Sequence, residues 1–539
     1  MPDHVYPWKR FWYPRETTIE LRDGGYLYRP EAEWANRFFG GSLIPLEELA
    51  SIPCLIVLGE PGLGKSRELS QQQTFTRDRL GEAVLWCDFS AYQEQTMLAR
   101  ALFDNATFQE WLRGTRRLHL FLDGLDEGLL SIPTLVRFLS VEFGRYRDHL
   151  ARLSLRITCR TAEWPALLED QLGELRGKTN VRVFRLAPLR RDDVRAAASA
   201  HGLDADQFLE EVDRKAAVPL ANRPITLRFL LNLYGEHGTF PSTQQALYED
   251  GCRILCQEVS PSRRSARFTG NFTARQRLAA AARLAYLMVF TNRSEVWDGV
   301  DLGDAPMGSL QLYECSGGTE DPDGNPLPVS ETLLDEASAT AQFSSRGPDR
   351  REWAHRTYAE FLAAHYLSNH QLPLPQIMML LLHAAASERR LVPQLHETAA
   401  WLATMQPAVF RAIMEIDPEV LLQSDVATVS RQDRADLVAA LLALEPEEHL
   451  WNVNMNLGQQ YDKLLHPGLG AQLAAVISNC ALGATRRVVA IEIAEACRLQ
   501  MLSPELVTLA LDPSETRIVR EAAAQAVAQI GNDVSKARL

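Results

Sequence analysis

CLIVLGEPGLGKSREL, residues 54–69, decides the reading of this chain. Cys54–Leu58 is an unbroken apolar run of the kind that forms a strand buried on both faces. Gly59, Gly62, Gly64, Lys65 and Ser66 then fill the spacing G-x-x-x-x-G-K-S, and a helix-forming stretch follows. Glycines let backbone N–H groups turn inward on phosphate oxygens, and the helix adds its N-terminal partial charge. Lys65 supplies a point charge for the β and γ phosphates, and the Ser66 hydroxyl is a ligand for Mg2+. A loop that only reversed the chain would need the glycines but not the lysine and hydroxyl.

A phosphate-bound cation needs an acidic partner. HLFLDGLDEGLL, residues 119–130, runs an apolar segment into Asp123, Asp126 and Glu127. Like charges this close repel unless a cation or hydrogen-bond donors offset them. Asp123 falls at the carboxyl end of a parallel strand, the edge where open α/β sheets bind ligands, so Ser66 and Asp123 together are the expected metal site. Glu127, just beyond the turn, is placed to orient or deprotonate the attacking water, and Asp126 is able to share either task. Arg160 ends the strand-like LSLRITCR (153–160), where it either senses the γ phosphate or pairs with Glu163. EAVLWCDFS (82–90) and VRVFRLAPL (181–189) supply further strands between helical stretches, giving an α/β core.

From Asp192 and Asp193, an acidic first helical turn, the text becomes helical, and NRPITLRFLLNLYGEHG (222–238) sets Pro224 at a helix start. That proline either presses on the adenine or ribose or simply opens the helix. Residues 314–331, ECSGGTEDPDGNPLPVSE, read as a surface loop. After His370 short helices such as LPQIMMLLLHAAASE, DRADLVAALLALEPE, TRRVVAIEIAEACRLQ and SETRIVREAAAQAVAQIG follow one another without a fixed period. Their texture is that of a HEAT-like solenoid, and its lack of a polar cap suggests a truncated sensor region.

At 539 residues the chain is long enough for three or four domains, and its formal charge of −13 argues against coating nucleic acid or membranes by bulk electrostatics. The eight cysteines show no zinc spacing, and Cys252 and Cys256 fall on one helix face, as expected for a reducing cytoplasm. MPDHVYPWKRFWYPR at the start has no signal-like apolar run, and the longest apolar patch, IMMLLLHAAA, is short of the roughly 20 residues a span requires. A cytoplasmic protein with no membrane partner is expected. PWKRFWYPRETT (7–18) interleaves aromatics with Lys9, Arg10 and Arg15. It suits either a nucleic acid or protein partner or an arm packed on its own domain, and the absence of an accompanying basic stripe favours the arm.

Taken together, GEPGLGKS (59–66), FLDGLDE (121–127), ITCR (157–160), NRPITLRFLL (222–231) and WAHRTYAEFLAAHYL (353–367) resemble the NACHT branch of the signal-transduction ATPases with numerous domains (STAND class), especially bacterial NLR-like anti-phage defence proteins. The match covers residues 55–367. Ala359 departs from the family's glutamine, and Thr357 and Tyr358 match its signature only in approximate register. The resemblance implies ATP rather than GTP and a switch that rests on ADP. It also implies His355 on the β phosphate, where the residues alone also admit a histidine capping the helix that follows. It further implies a trigger molecule or phage protein at the C-terminal region, a separate effector protein, and a homo-oligomer when active. An arginine reaching in from a neighbouring copy is not singled out among Arg145, Arg147 and others.

The expected fold is an α/β P-loop NTPase core followed by helical and winged-helix domains and an all-α HEAT-like solenoid. The expected divisions are an N-terminal arm (1–50), a P-loop domain (51–190), a helical lid (191–260), a winged-helix-like domain (261–370) and the solenoid (371–539). Two other classes compete with the switch. A transcriptional regulator of the same ATPase class would need a basic recognition helix, which the sequence does not offer, and a non-catalytic scaffold would not need the phosphate loop.

Overall fold

The computed structural model describes residues 6, 8–30, 43–257, 270–299, 305–306, 308–322, 324–345, 349–383, 390–444 and 457–539. The chain divides into two compact units, Met1–Pro241 with Ala246–Tyr358, and Ser242–Gln245 with Ala359–Leu539.

The first unit is built on a seven-stranded sheet. Its strands are β1 (Phe11–Pro14), β2 (Ile44–Pro45), β3 (Cys54–Leu58), β4 (Ala83–Asp88), β5 (Leu118–Asp123), β6 (Leu153–Cys159) and β7 (Val181–Leu186), in the order β2-β1-β7-β3-β6-β5-β4. The five strands from β3 to β7 are parallel. Successive β3 side chains point to opposite faces. Cys54, Ile56 and Leu58 accordingly join one apolar core, and Leu55 and Val57 join another. Covering both faces is what demands the unbroken apolar run.

The chain leaves β3 for β4 at the far edge of the sheet and later returns over β3 to β7, so the strand order reverses at the carboxyl end of β3. Ligands of such sheets bind at that point. α1 (Lys65–Leu80) begins there, α2 (Leu125–Ser131) follows β5, α3 (Arg191–Ala200) follows β7, and α4 (Pro224–His237) comes later in the helical stretch.

The expected division between residues 50 and 51 does not separate an arm from the sheet. β1 pairs antiparallel with β7 through Trp12↔Leu186, and β2 pairs with β1. Trp12 is fully buried and joins Leu55 and Val57 in one core. Aromatic burial, at about 1.5–3 kcal/mol per large side chain, pulls this basic-aromatic stretch onto its own sheet.

α5 (Ala274–Phe290), opened by a Thr273/Gln276 capping box, precedes a four-stranded sheet. That sheet is made of β8 (Glu295–Trp297), β9 (Ser309–Gln311), β12 (Phe343–Ser345) and β13 (Arg350–Trp353), with β13 between β12 and β8. Between β9 and β12 the stretch expected as a loop contains a hairpin, β10 (Thr319–Glu320) with β11 (Leu327–Pro328). Strands of two residues carry no readable alternation. The division expected at residues 260 and 261 lies outside the described residues, and the division between the two compact units falls inside α6 (Arg356–Asn369), near the one expected at 370.

The second unit is helical in its described residues apart from a single bridge, Leu382↔Leu391. Its helices include His396–Met405, Arg431–Ala443, Ala484–Ala496 and Arg517–Ile530. The last two pack on each other, and an ion pair, Arg487 Nη1 to Glu515 Oε2 at 2.7 Å, ties Ala484–Ala496 to the turn that precedes Arg517–Ile530. Among the described residues no helix is long and apolar enough to cross a membrane.

Candidate active site

The loop after β3 takes its shape from two glycines in the left-handed region, Gly62 at φ +76° and Gly64 at φ +94°. A Cβ on Gly62 would also stand 2.9 Å from Ile225 Cγ2, so the loop packs directly on the first turn of α4. Lys65 folds back along the loop: its Nζ donates to the carbonyl oxygens of Gly59 and, at 3.1 Å, Glu60. Desolvation lowers the Lys65 pKa, with the Asp126 charge opposing. An ammonium enclosed in this way is held by carbonyl dipoles at the place where a loop of this spacing holds phosphate oxygens.

Ser66 Oγ donates to Asp123 Oδ1 at 3.1 Å. The same oxygen accepts the Thr158 hydroxyl, and Thr158 Oγ1 accepts the N–H of Gly124 at 2.9 Å. Thr158 reaches Asp123 because β6 lies between β3 and β5. Burial raises the Asp123 pKa, the two hydroxyls pull it back, and Asp88, its register partner on β4, adds to the rise. Gly124, at φ +69°, then turns the chain into α2. A Cβ there would lie 3.8 Å from both Asp88 Oδ1 and Glu127 Cδ, so these two carboxylates flank the turn.

A hydroxyl beside a carboxylate suits Mg2+, which keeps several waters and takes one or two protein oxygens besides phosphate. Ser66 and Asp123 fit that role. Among the described residues no group of three or more His, Cys, Asp or Glu side chains forms a protein cage for a metal.

The two remaining acids are placed differently. Asp126 is buried and held at both oxygens, by Arg160 Nε at 3.1 Å and by the Arg160 backbone N–H at 3.2 Å. Arg160 is thereby fixed by Asp126, because the residue after β6 lies level with the first turn of α2. Glu127, half-buried, begins its turn with a backbone bond to the Gly124 carbonyl at 3.0 Å. Of the acids after Asp123, it is the less enclosed.

Pro224 occupies the first helical position of α4 behind Arg223, and Ile225 rather than the proline makes the close approach to Gly62. His355, implied by the resemblance to reach the β phosphate, sits at the start of α6. Its Nδ1 accepts the Thr357 N–H at 3.2 Å, capping α6, and its ring leans on Tyr358. Burial, reinforced by the Arg223 charge, lowers its pKa to about 4. The imidazole is therefore neutral near pH 7 in this arrangement.

This depression has a measurable consequence. The unfolded imidazole titrates near 6.5 and the folded one near 4, so the stability it confers is whole above about pH 6.5 and is lost as pH falls toward 4. Between pH 7 and 5 the loss is on the order of 2 kcal/mol. His355→Gln, which keeps a cap acceptor without a proton site, is expected to shrink the fall in melting temperature over that range. An unchanged fall would assign the acid sensitivity elsewhere.

Five residues that the nucleotide motifs did not single out also support the site. Thr158 holds Asp123, and Asp88 flanks the acidic turn. Glu60 Oε1 accepts the N–H of Ser345 on β12 at 3.2 Å, while Arg185 donates to the Ser345 carbonyl at 2.8 Å. Arg10 donates to the Leu63 carbonyl at 3.0 Å. All but Asp88 act through partners distant in sequence, and Asp88 alone was visible as a carboxylate ending a strand.

No family model matches the chain, and no curated protein is recognisably similar to it in sequence. Among solved structures, Cdc6p from Pyrobaculum aerophilum aligns with 16% identity and a TM-score of 0.24, over 58% of this chain and 88% of that one. The Walker-type ATPase paby2304 of Pyrococcus abyssi aligns with 13% identity and a TM-score of 0.31, over 65% of this chain and 99% of that one.

Proposed function

We propose that the chain binds ATP and ADP with Mg2+ and hydrolyses ATP slowly, as a switch. The observation that carries this reading is Ser66 Oγ standing 3.1 Å from Asp123 Oδ1 beside a glycine loop that encloses the Lys65 ammonium. Lys65 exchanges its carbonyl partners for phosphate oxygens. Ser66 and Asp123 hold Mg2+, which neutralises charge on the phosphates when bound. Glu127 orients the attacking water and takes its proton, while the Asp126–Arg160 pair fixes Arg160 beside the carboxyl edge of the sheet. The preference for ATP follows the NACHT resemblance.

A switch is favoured over simple turnover by what the loop touches. Gly62 packs on Ile225 of α4, and Glu60 bonds Ser345 of β12. A change at the phosphates thus meets two other parts of the same unit directly, as a two-state element requires. In the full proposal, a trigger such as a phage protein engages the C-terminal region of a cytoplasmic bacterial defence protein. ATP then favours a homo-oligomer that works through a separate effector.

Tagged Glu127→Gln protein, recovered from phage-infected and uninfected cells and sized by mass photometry in ADP and in ATP, tests the switch. A multiple of the single-chain mass is expected only with infection and ATP together. One mass in all four samples would sink the switch and leave nucleotide binding standing.

A further inference from the structure

Arg10 lies on the segment just before β1, far in sequence from the phosphate loop, yet the residue is only 4% exposed and its guanidinium spans two parts of the nucleotide site's framework. Nη1 donates to the Leu63 carbonyl at 3.0 Å and Nη2 to the Ala187 carbonyl, just after β7, at 2.8 Å. A Cβ on Gly64 would stand 3.6 Å from Nη1. Glu68 in the first turns of α1 and Asp193 in α3 provide the compensating negative charge, with Arg190 opposing. The Trp8 ring lies 6.0 Å from the guanidinium, and its indole N–H is fixed on the Asp193 carbonyl at 2.8 Å. The guanidinium is therefore held from several sides, which a side chain merely covering apolar surface would not need.

The peptide between Leu63 and Gly64 is trans, so its C=O and N–H point in opposite directions. Fixing the Leu63 oxygen on Arg10 turns the Gly64 N–H away from Arg10. A charged donor on the oxygen also polarises the amide and strengthens its N–H as a donor. Gly64 at φ +94° is the last glycine before Lys65, where an amide aimed into the loop meets a phosphate oxygen.

We infer that Arg10 is a positioning residue of the phosphate loop, orienting and polarising the Gly64 N–H for the phosphates of a bound nucleotide through its bond to the Leu63 carbonyl. This rests on the nucleotide-binding reading above. It gives the N-terminal segment a part in ligand affinity in addition to its part in the sheet. The bond to Ala187 anchors the guanidinium on the rigid end of β7, so the loop peptide is referenced to the sheet rather than to a mobile side chain.

The test compares ADP affinity, by titration calorimetry with Mg2+, in the parent chain, Arg10→Met and Arg10→Lys, with circular dichroism confirming that each is folded. Arg10→Met keeps the apolar stem and loses both donors, and about a tenfold loss is expected. Arg10→Lys restores a charged donor and is expected to return affinity to within about threefold of the parent, a rescue that a purely space-filling role would not produce. Should Arg10→Met not fold, Arg10→Gln, a neutral donor of similar reach, replaces it, with a loss of about fivefold expected. Folded variants that bind ADP as tightly as the parent would overturn the inference, as would an Arg10→Lys protein as weak as the neutral variant. A parent that binds no ADP would overturn the nucleotide reading itself.

Discussion

Lys65→Ala is expected to weaken ADP binding by about 100-fold in titration calorimetry while leaving the far-ultraviolet dichroism unchanged. The magnitude follows from the loss of a desolvated charge facing a polyanion, in the range of roughly 2–5 kcal/mol, and about 2.7 kcal/mol corresponds to 100-fold. The fold should tolerate the change because, among the described residues, the ammonium bonds the Gly59 and Glu60 carbonyls, whose loop is also held by Arg10 and by packing on Ile225. Removing the ammonium also relieves a group whose charged form burial disfavours. Equal affinity in the two proteins would remove the phosphate-loop assignment. A collapse of the dichroism would show the lysine to be chiefly structural.

Glu127→Gln should retain ADP and ATP binding and slow phosphate release by about 10² to 10⁴ fold, the range lost with a general base. The structure favours Glu127 over Asp126 for this role, because both Asp126 oxygens are held by Arg160 whereas Glu127 flanks the Gly124 turn beside Asp88. Asp126→Asn offers the contrast: breaking a buried pair costs about 3–5 kcal/mol, so its effect should appear in the melting temperature before it appears in turnover. If Glu127→Gln turns over at the parental rate, Asp88, the other carboxylate at the turn, becomes the next base to test.

What the sequence disclosed about this site follows from how local each determinant is. The strand Cys54–Leu58 and the helix from Lys65 are each specified by neighbours in sequence, so their run of apolar residues and their glycines announce them. Pro224 at a helix start is equally local. The insertion of β6 between β3 and β5 is a matter of pairing between distant segments, and nothing in LSLRITCR states it. Thr158 was consequently invisible as the support of Asp123, although it stands two residues from the flagged Arg160. The orientation of His355 was ambiguous because a helix cap and a phosphate contact ask for the same residue at the same place. Its bond to Thr357 shows the cap, and a cap made through Nδ1 leaves Nε2 for a second partner. In the second unit the helices are legible one by one, whereas their stacking depends on faces that no fixed period marks.

The pairing of β1 with β7 also sets the order in which this molecule can be made. Arg10 and Ala187 lie 177 residues apart, so during synthesis the aromatic segment leaves the ribosome well before the strand that receives it. At roughly 5–20 residues per second the wait is about 10–35 s. Over that interval Phe11 and Trp12, almost wholly buried in the finished sheet, have no native place to go. The growing chain thus passes through a period with this aromatic stretch uncovered, when a chaperone or a premature neighbour is able to capture it. The closing of the sheet's edge by β1 and β2 is the event that ends it.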